Sequence, residues 1–490
     1  MAQQNLEYQY SPLQGPGSFR ILKLLPGDRQ DRPRIEILQA SMDENPDYEA
    51  VSYVWGQGGR RFSVLCEPSE AEVKVTPNCM RVLKDLRFSD KPRNLWIDAI
   101  CIDQEFVEEK NHQLKLMDKI YKHASRVLIC PVPYIGWRRA TFIHTFFQVN
   151  MARSKRNEQH LVIPTRFRQE YHDFQQEDQD SFKLERMESL RPDRLQAFST
   201  WFGRTWVIQE AALAREAVMM FENAEIPFDE ILEVLEVEAA NDPYADSPKR
   251  SHGKAILSKI DLHRSLLSLS NKTLMQLAYQ SRASKTTIPE DKLYALVGIA
   301  SDGGDFRDNM DYGKPTGSVF AELSQKFINK TRNLDLLSIT SASLVSERLV
   351  SWAVQWDKLD ANYASILDPM GSRKSYNACD RFTSTKEQKS AEYSVLFLRG
   401  IVFDSIRRAT TNSFKTSRGH RGHMRRKPGS CAEGDIVCIF SGGAVPYIVR
   451  KIPGDEGKCC FIGEAFVGDI MAGEAMKGLE EKDLQDFCLV

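Results

Sequence analysis

This 490-residue chain lacks the usual signatures of a metal, redox or membrane protein. Its ten cysteines form no CxxC pair, and none stands at the Cys/His spacing of a zinc site; only Cys459 and Cys460 are adjacent. They read as reduced thiols of a cytosolic or nuclear protein, with the cytoplasm the expected location. The nine histidines include no HExxH and no triad order, which leaves zinc hydrolysis and a serine nucleophile without support. "GQGGR" (Gly56 to Arg60) lacks the lysine and hydroxyl residue of a phosphate-binding loop and reads as a turn. No apolar run approaches the roughly 18 to 20 residues of a membrane helix. The start, "MAQQNLEYQYSPLQGPG", has neither the basic opening nor the apolar stretch of a secretory signal. Charge of one sign is missing too. With 66 basic against 67 acidic residues the net charge is -1, so no whole-chain affinity for polyanions follows.

What is present looks globular: 42% hydrophobic and 27% charged residues, in a chain long enough for roughly two to four folding units. Residues 1–47 read as an N-terminal extension. From Tyr48 the pattern alternates strands and helices. "YEAVSYVWG" is rich in strand formers and runs into a glycine turn, and "RFSVLC" with "EVKVT" suggests a hairpin. Thr76 and Pro77 stand where a helix cap and first helical residue belong, ahead of an apolar stripe at Val82, Leu83 and Leu86. "NLWIDAICI" and "SRVLIC" are near-continuous apolar runs of the kind buried on both faces of a parallel sheet, separated by Leu114, Met117, Ile120 and Tyr121 at helical spacing. Two successive βαβ units predict a doubly wound α/β sheet flanked by helices.

A charged, glutamine-rich insertion spans about 153–194, after which "FSTWFGRTWVIQEAALAREAVMMF" predicts a helix leading into a short strand. The first domain is thereby placed at 48–225. Ala239 to Lys254 read as a polar linker within a mostly helical region, 226–345. From 346 to 490 short strand-like runs separated by turns predict a small β-rich unit. No internal repeat is found.

The stretch "LWIDAICIDQ" (Leu95 to Gln104) poses the functional question, because a buried strand carries Asp98 and Asp103 where it leaves the sheet. In open α/β sheets ligands bind beyond the carboxyl ends of the strands, so both acids are candidates for a polar crevice. The alternative is that they cap or bracket the following turn and helix.

"YEAVSYVWG", "NLWIDAICIDQ", "QLKLMDKIYKHASRVLI" and "WFGRTWVIQEAALA" together resemble the heterokaryon-incompatibility (HET) domain of filamentous fungi. Downstream, "DKLYALVGIASD", "VSWAVQWD", "GDIVCIFSGGAVPYIVR" and "GEAFVGDIMAGEAM" resemble segments that often follow that domain. The resemblance covers most of the chain from about residue 48. It implies a role in nonself recognition between fused fungal cells, with growth arrest and programmed death. HET domains are more distantly similar to Toll/interleukin-1 receptor (TIR) domains, parallel α/β folds some of which cleave the glycosidic bond of NAD. "AVSY" (Ala50 to Tyr53) occupies the place of the TIR opening strand, and Trp206 to Glu210, "WVIQE", reproduces a WxxxE spacing whose glutamate is catalytic in TIR enzymes. Val207 stands where those enzymes usually have cysteine.

That likeness implies an NAD glycohydrolase, with Glu210 stabilising or trapping the oxocarbenium-like cation formed as nicotinamide departs. Asp98, Asp103 and Trp206 would line the site, and Tyr53 or Trp55 would stack on a flat ring. The competing reading makes Glu210 a solvated or salt-bridged helix residue, beside Arg204 or Arg215, and makes Trp206, Tyr53 and Trp55 packing residues. The chain is then a noncatalytic interaction module of the same response. Neither reading needs a metal or a cofactor; NAD enters only as substrate. Protein partners or self-association are expected, and a nucleic-acid ligand is not. The sharpest charge feature is "KTSRGHRGHMRRKPG" (Lys415 to Gly429), which reads as a solvated loop of the β unit, with contact to an acidic partner or nucleic acid as the alternative.

Overall fold

A computed structural model describes residues 6–131, 200–221, 224–240, 260–264, 271–340, 350–359, 376–379, 395–410, 413–424 and 431–490. The insertion at 153–194 lies outside them, as does the linker beyond Ala240. The chain divides into two compact units, Met1–Asn271 and Lys272–Val490.

The first unit is built on a nine-stranded sheet in the order β5-β4-β2-β1-β6-β3-β7-β8-β9. Its strands are β1 (Ser18–Leu24), β2 (Arg34–Ser41), β3 (Glu49–Tyr53), β4 (Phe62–Cys66), β5 (Ala71–Val75), β6 (Arg93–Trp96), β7 (Val127–Cys130), β8 (Ala217–Phe221) and β9 (Ala224–Pro227). Four adjacent strands, β6-β3-β7-β8, run parallel. The second apolar run is β7, all four of whose residues are buried, as a strand covered on both faces requires; of the first run, expected as one strand, only Asn94–Trp96 belongs to β6, and Asp98–Cys101 turns into a helix. The sheet as a whole is mixed, which the sequence did not announce. β1 pairs antiparallel with β2 and β6, β4 with β5, and β8 with β9, while β2 and β4 are parallel.

Helix α1 (Pro77–Leu86) starts as expected: the Thr76 side chain accepts from the Cys79 amide, Pro77 opens the first turn, and Val82, Leu83 and Leu86 are buried. A single turn, α2 (Asp98–Cys101), follows β6, and α3 (Val107–Leu114) and α4 (Met117–His123) return the chain to β7. Helix α5 (Trp206–Ala212) leads into β8, and α6 (Phe228–Ala240) follows β9. The linker expected from Ala239 thus begins as the last turn of α6.

In the second unit, α7 (Leu274–Gln280), α8 (Asp291–Val297) and α9 (Thr316–Thr331) precede the strands. These are β10 (Leu396–Ala409), β11 (Ser413–Thr416), β12 (Arg421–His423), β13 (Ile436–Phe440), β14 (Tyr447–Ile452), β15 (Asp455–Glu464), β16 (Phe466–Val467) and β17 (Gln485–Leu489). β13, β14, β15, β17 and β10 follow one another by hydrogen bonding, and β10 also pairs with β13, so five strands close into a ring. Directions cannot alternate throughout a ring of five, and the one parallel pair is β15 with β17. β10 carries register shifts at Val402/Asp404 and Ile406/Arg408, beyond which it leaves the ring to pair with β11. Gly400 is required where β10 crosses β13: a Cβ there would lie 2.2 Å from the Ile439 carbonyl oxygen. The helical segment is tied to these strands, since the Leu334 amide donates to the Gly442 carbonyl at 3.0 Å and the Tyr447 hydroxyl donates to the Leu334 carbonyl at 3.1 Å. A β-rich C-terminal sheet is thus observed, its first described strand starting at Leu396.

Candidate functional site

The two ends of the parallel strands differ in chemistry. At the amino end, Glu49 accepts from Arg93 at 3.0 Å, and Arg126 bridges Glu49 to Glu225. Burial alone would raise the Glu49 carboxyl, but hydrogen bonds from Arg93 and Arg126 hold it below the usual range. The amino end is thus neutralised pair by pair.

Polar groups at the carboxyl end are arranged otherwise. Consecutive strand residues point to opposite faces, so on β3 Ser52 reaches α5 while Tyr53 reaches Cys79 of α1 on the other side. The Ser52 hydroxyl donates a hydrogen bond to Glu210 Oε2 and accepts from Trp201 Nε1 at 2.9 Å. All three residues are buried, Glu210 being 2% exposed. The start of α5 is pinned to the end of β3 by Arg204, whose guanidinium donates to the Tyr53 carbonyl.

Asp98 stands at the end of β6 as the first residue of α2. It accepts from the Ala99 amide at 2.7 Å and from Trp55 Nε1 at 2.9 Å and 3.1 Å, while Gln104 Nε2 donates to its backbone carbonyl at 3.0 Å. The carboxylate is therefore both a turn bracket and the partner of a half-buried indole.

Electrostatics couple these groups. Burial pushes the Glu210 carboxyl up to about 7; Arg204 and the Ser52 hydrogen bond oppose the rise, and the Asp98 charge adds to it. Asp98 is likewise raised by burial, against the pull of Arg204 and the Trp55 hydrogen bond. Tyr121, whose hydroxyl donates to the Val51 carbonyl at 3.3 Å, feels both carboxylates. Two acids and one arginine thus share a poorly solvated edge of the sheet. Such a site can keep one carboxyl protonated beside an ionised one, or stabilise a developing cation when both are ionised.

The candidate residues are distributed unevenly. Glu210 and Asp98 lie within electrostatic reach of each other, and Trp55 is joined to Asp98. Tyr53 is 2% exposed, with its hydroxyl beside the Cys79 thiol, so its ring packs in the core on the face of β3 opposite Ser52. Asp103 is used locally: its carboxylate accepts from the Glu105 amide at 3.0 Å, closing a turn. Trp206 is half-buried at the first position of α5. Neither arginine considered as a partner forms an ion pair with Glu210 among the described residues, because Arg204 bonds the Tyr53 carbonyl and Arg215 donates to the Lys122 carbonyl at 3.0 Å.

Ser52, which holds Glu210, and Trp201, which holds Ser52, were not foreseen. The available signal was a serine placed inward on a strand of otherwise apolar inward residues.

Residues 48–210 match the family described as heterokaryon incompatibility protein (HET), and residues 342–490 match the Het-6 beta-barrel domain. The second match contains the five-stranded ring. Heterokaryon incompatibility protein 6, OR allele, of Neurospora crassa is 22% identical, over 76% of this chain and 61% of that protein. The chain therefore spans less than two thirds of that relative's length. No solved structure matches it.

Proposed function

We propose, from the matches of residues 48–210 to the HET family and of residues 342–490 to the Het-6 beta-barrel domain, that the chain acts in nonself recognition and programmed death, with hydrolysis of NAD or a related nucleotide as its chemical arm. The observation that carries the chemical part is the Glu210 carboxyl pushed up to about 7 at the carboxyl end of the parallel strands, with Asp98 in electrostatic reach. Breaking the nicotinamide–ribose bond leaves positive charge on the sugar, and the nicotinamide departs neutral because its ring nitrogen is already cationic in the substrate. An ionised Glu210 stabilises or traps that sugar cation, and water completes the hydrolysis. Trp55, half-buried and held by Asp98, offers an indole face to a flat ring. In this reading Glu210 must be deprotonated, so turnover rises with pH through about 7.

Glu210 is 2% exposed and bonded to Ser52. Substrate therefore reaches it only after a rearrangement, which fits an effector that is silent until clustered. The same burial favours a second reading, a noncatalytic interaction module in which Glu210 fastens α5 to β3.

Nicotinamide release by concentrated, purified protein separates the two. The catalytic reading expects release that Glu210→Ala abolishes. Release no greater than that of Glu210→Ala under clustering conditions, with the variant folded by circular dichroism and still toxic in a fungal host, overturns it in favour of the interaction module.

A further inference from the structure

We propose that Ser52 and Trp201 are positioning residues for Glu210: the indole fixes which way the Ser52 hydroxyl points, and the hydroxyl thereby presents its proton to the carboxylate. The direction follows from what each group can give and take. A serine hydroxyl has one proton and two lone pairs, whereas an indole nitrogen has only a proton to give. Trp201 Nε1 therefore donates to Ser52 Oγ, at 2.9 Å, and the serine proton is left for Glu210 Oε2. Were a protonated Glu210 to donate to Ser52 instead, the serine proton would lose its acceptor, because no third group bonds Oγ among the described residues. Ser52 is 1% exposed, and a buried donor without an acceptor is costly. The pair thus favours the ionised carboxylate.

Trp201 is held in turn from beyond the strand and helix it serves. It is fully buried, and three rings surround its indole: Phe202 edge-on at 4.9 Å, Phe228 edge-on at 5.7 Å and His263 stacked at 6.0 Å. Phe228 opens α6 and His263 lies further along the chain, so both fall outside residues 48–210. The orientation of the carboxyl thus depends on residues that the HET match does not contain. The charged groups near Glu210 do not duplicate this role. Arg204, ahead of α5, favours its ionised form, Asp98 of α2 opposes it, and the Tyr121 hydroxyl of α4 is spent on the Val51 carbonyl. Those charges act whichever way the serine points.

The consequence for turnover rests on the reading of Glu210 as the reacting carboxylate; the consequence for its titration does not. Urea unfolding of the full chain from about pH 5 to about pH 9, each protein measured against its own Glu210→Gln counterpart, reads the titration apart from any activity. In the parent the contribution of Glu210 falls as pH rises and levels off near 7. In Ser52→Ala a hydrogen bond to the charged form is lost, so the levelling point is expected about one pH unit higher. Trp201→Phe, which keeps a ring in the aromatic cage, is expected to move it part of the way, and Ser52→Thr, which keeps the hydroxyl, to restore it. The pH midpoint of nicotinamide release is expected to move with it. A purely structural role lowers stability equally at every pH. An unmoved levelling point in folded Ser52→Ala and Trp201→Phe overturns the proposal, and Trp201→Phe decides alone if Ser52→Ala fails to fold. A levelling point that moves in proteins releasing no nicotinamide upholds the positioning and removes the hydrolytic reading.

Discussion

Glu210 shows how a residue can be visible in a sequence while its circumstances are not. The WxxxE spacing singles it out, but the partner that fixes it, Ser52, lies 158 positions away, and Trp201 reaches Ser52 across 149. Contacts of that separation leave no local pattern. Likewise, alternation on β3 sends Tyr53 away from Glu210, which follows from the strand period but requires knowing which helix covers which face. A pH signature in stability follows from the buried carboxyl. Its folded-state pKa of about 7 lies above the usual value near 4.5, so the folded chain holds the proton more tightly than the unfolded one. The contribution of this one group is therefore fully present below about 4.5, declines as pH rises toward 7, and is level beyond, its whole loss being at most about 3 kcal/mol. Glu210→Gln keeps a group able to bond Ser52 but cannot ionise, and is expected to remove this decline. Urea unfolding at pH 5 and pH 8 measures the difference, and an undiminished decline in the variant rules out Glu210 as its source.

Elements with regular patterns were legible: the hairpin β4–β5, the capped helix α1, the apolar strands β6 and β7, and the helix-to-strand passage α5–β8. β1 and β2 were not, and they fall within the stretch read as an extension. β1, "SFRILKL", carries an arginine that is only 1% exposed, and an inward cation disguises a core strand as a polar one. The cation is matched rather than tolerated: Arg20 donates to Glu109 of α3 at 2.6 Å and 2.9 Å and to the Cys101 carbonyl at 3.1 Å, and it lies 4.9 Å from the Tyr10 ring centre. Removing one partner of a buried pair leaves the other charge uncompensated. Glu109→Ala is thus expected to destabilise the first unit by about 3 to 5 kcal/mol, while a Glu109→Ala/Arg20→Met protein recovers part of that loss. Thermal melts of the single and double variants check this, and a single variant as stable as the parent refutes the role given to the pair.

For the whole molecule, composition and length suggested several folding units, and the texture change near 346 suggested a β-rich one, whose described strands run from Leu396. It did not reveal that the preceding helices belong with it. Two bonds at Leu334 and a third from the Phe461 amide to Ser351 Oγ at 2.8 Å bind helical and strand segments into one unit. Its own core includes Phe414, Val437, Ile439, Ile448 and Ile462. Residues 272–490 expressed alone are accordingly expected to unfold in one cooperative transition with a β-type circular dichroism spectrum, whereas residues 346–490 without α7–α9 are expected to be less stable. Equal melting temperatures for the two fragments contradict this assignment.

The odd-numbered ring has a temporal consequence. β10 is synthesised first, yet its neighbours on either side are β13 and a stave that ends only at Leu489. Until that last segment has left the ribosome, one flank of β10 and one of β15 present unpaired amides and carbonyls, open to any passing strand. Assembly of this unit must wait for its final residues, and a chain cut short at 484 would keep both seams open.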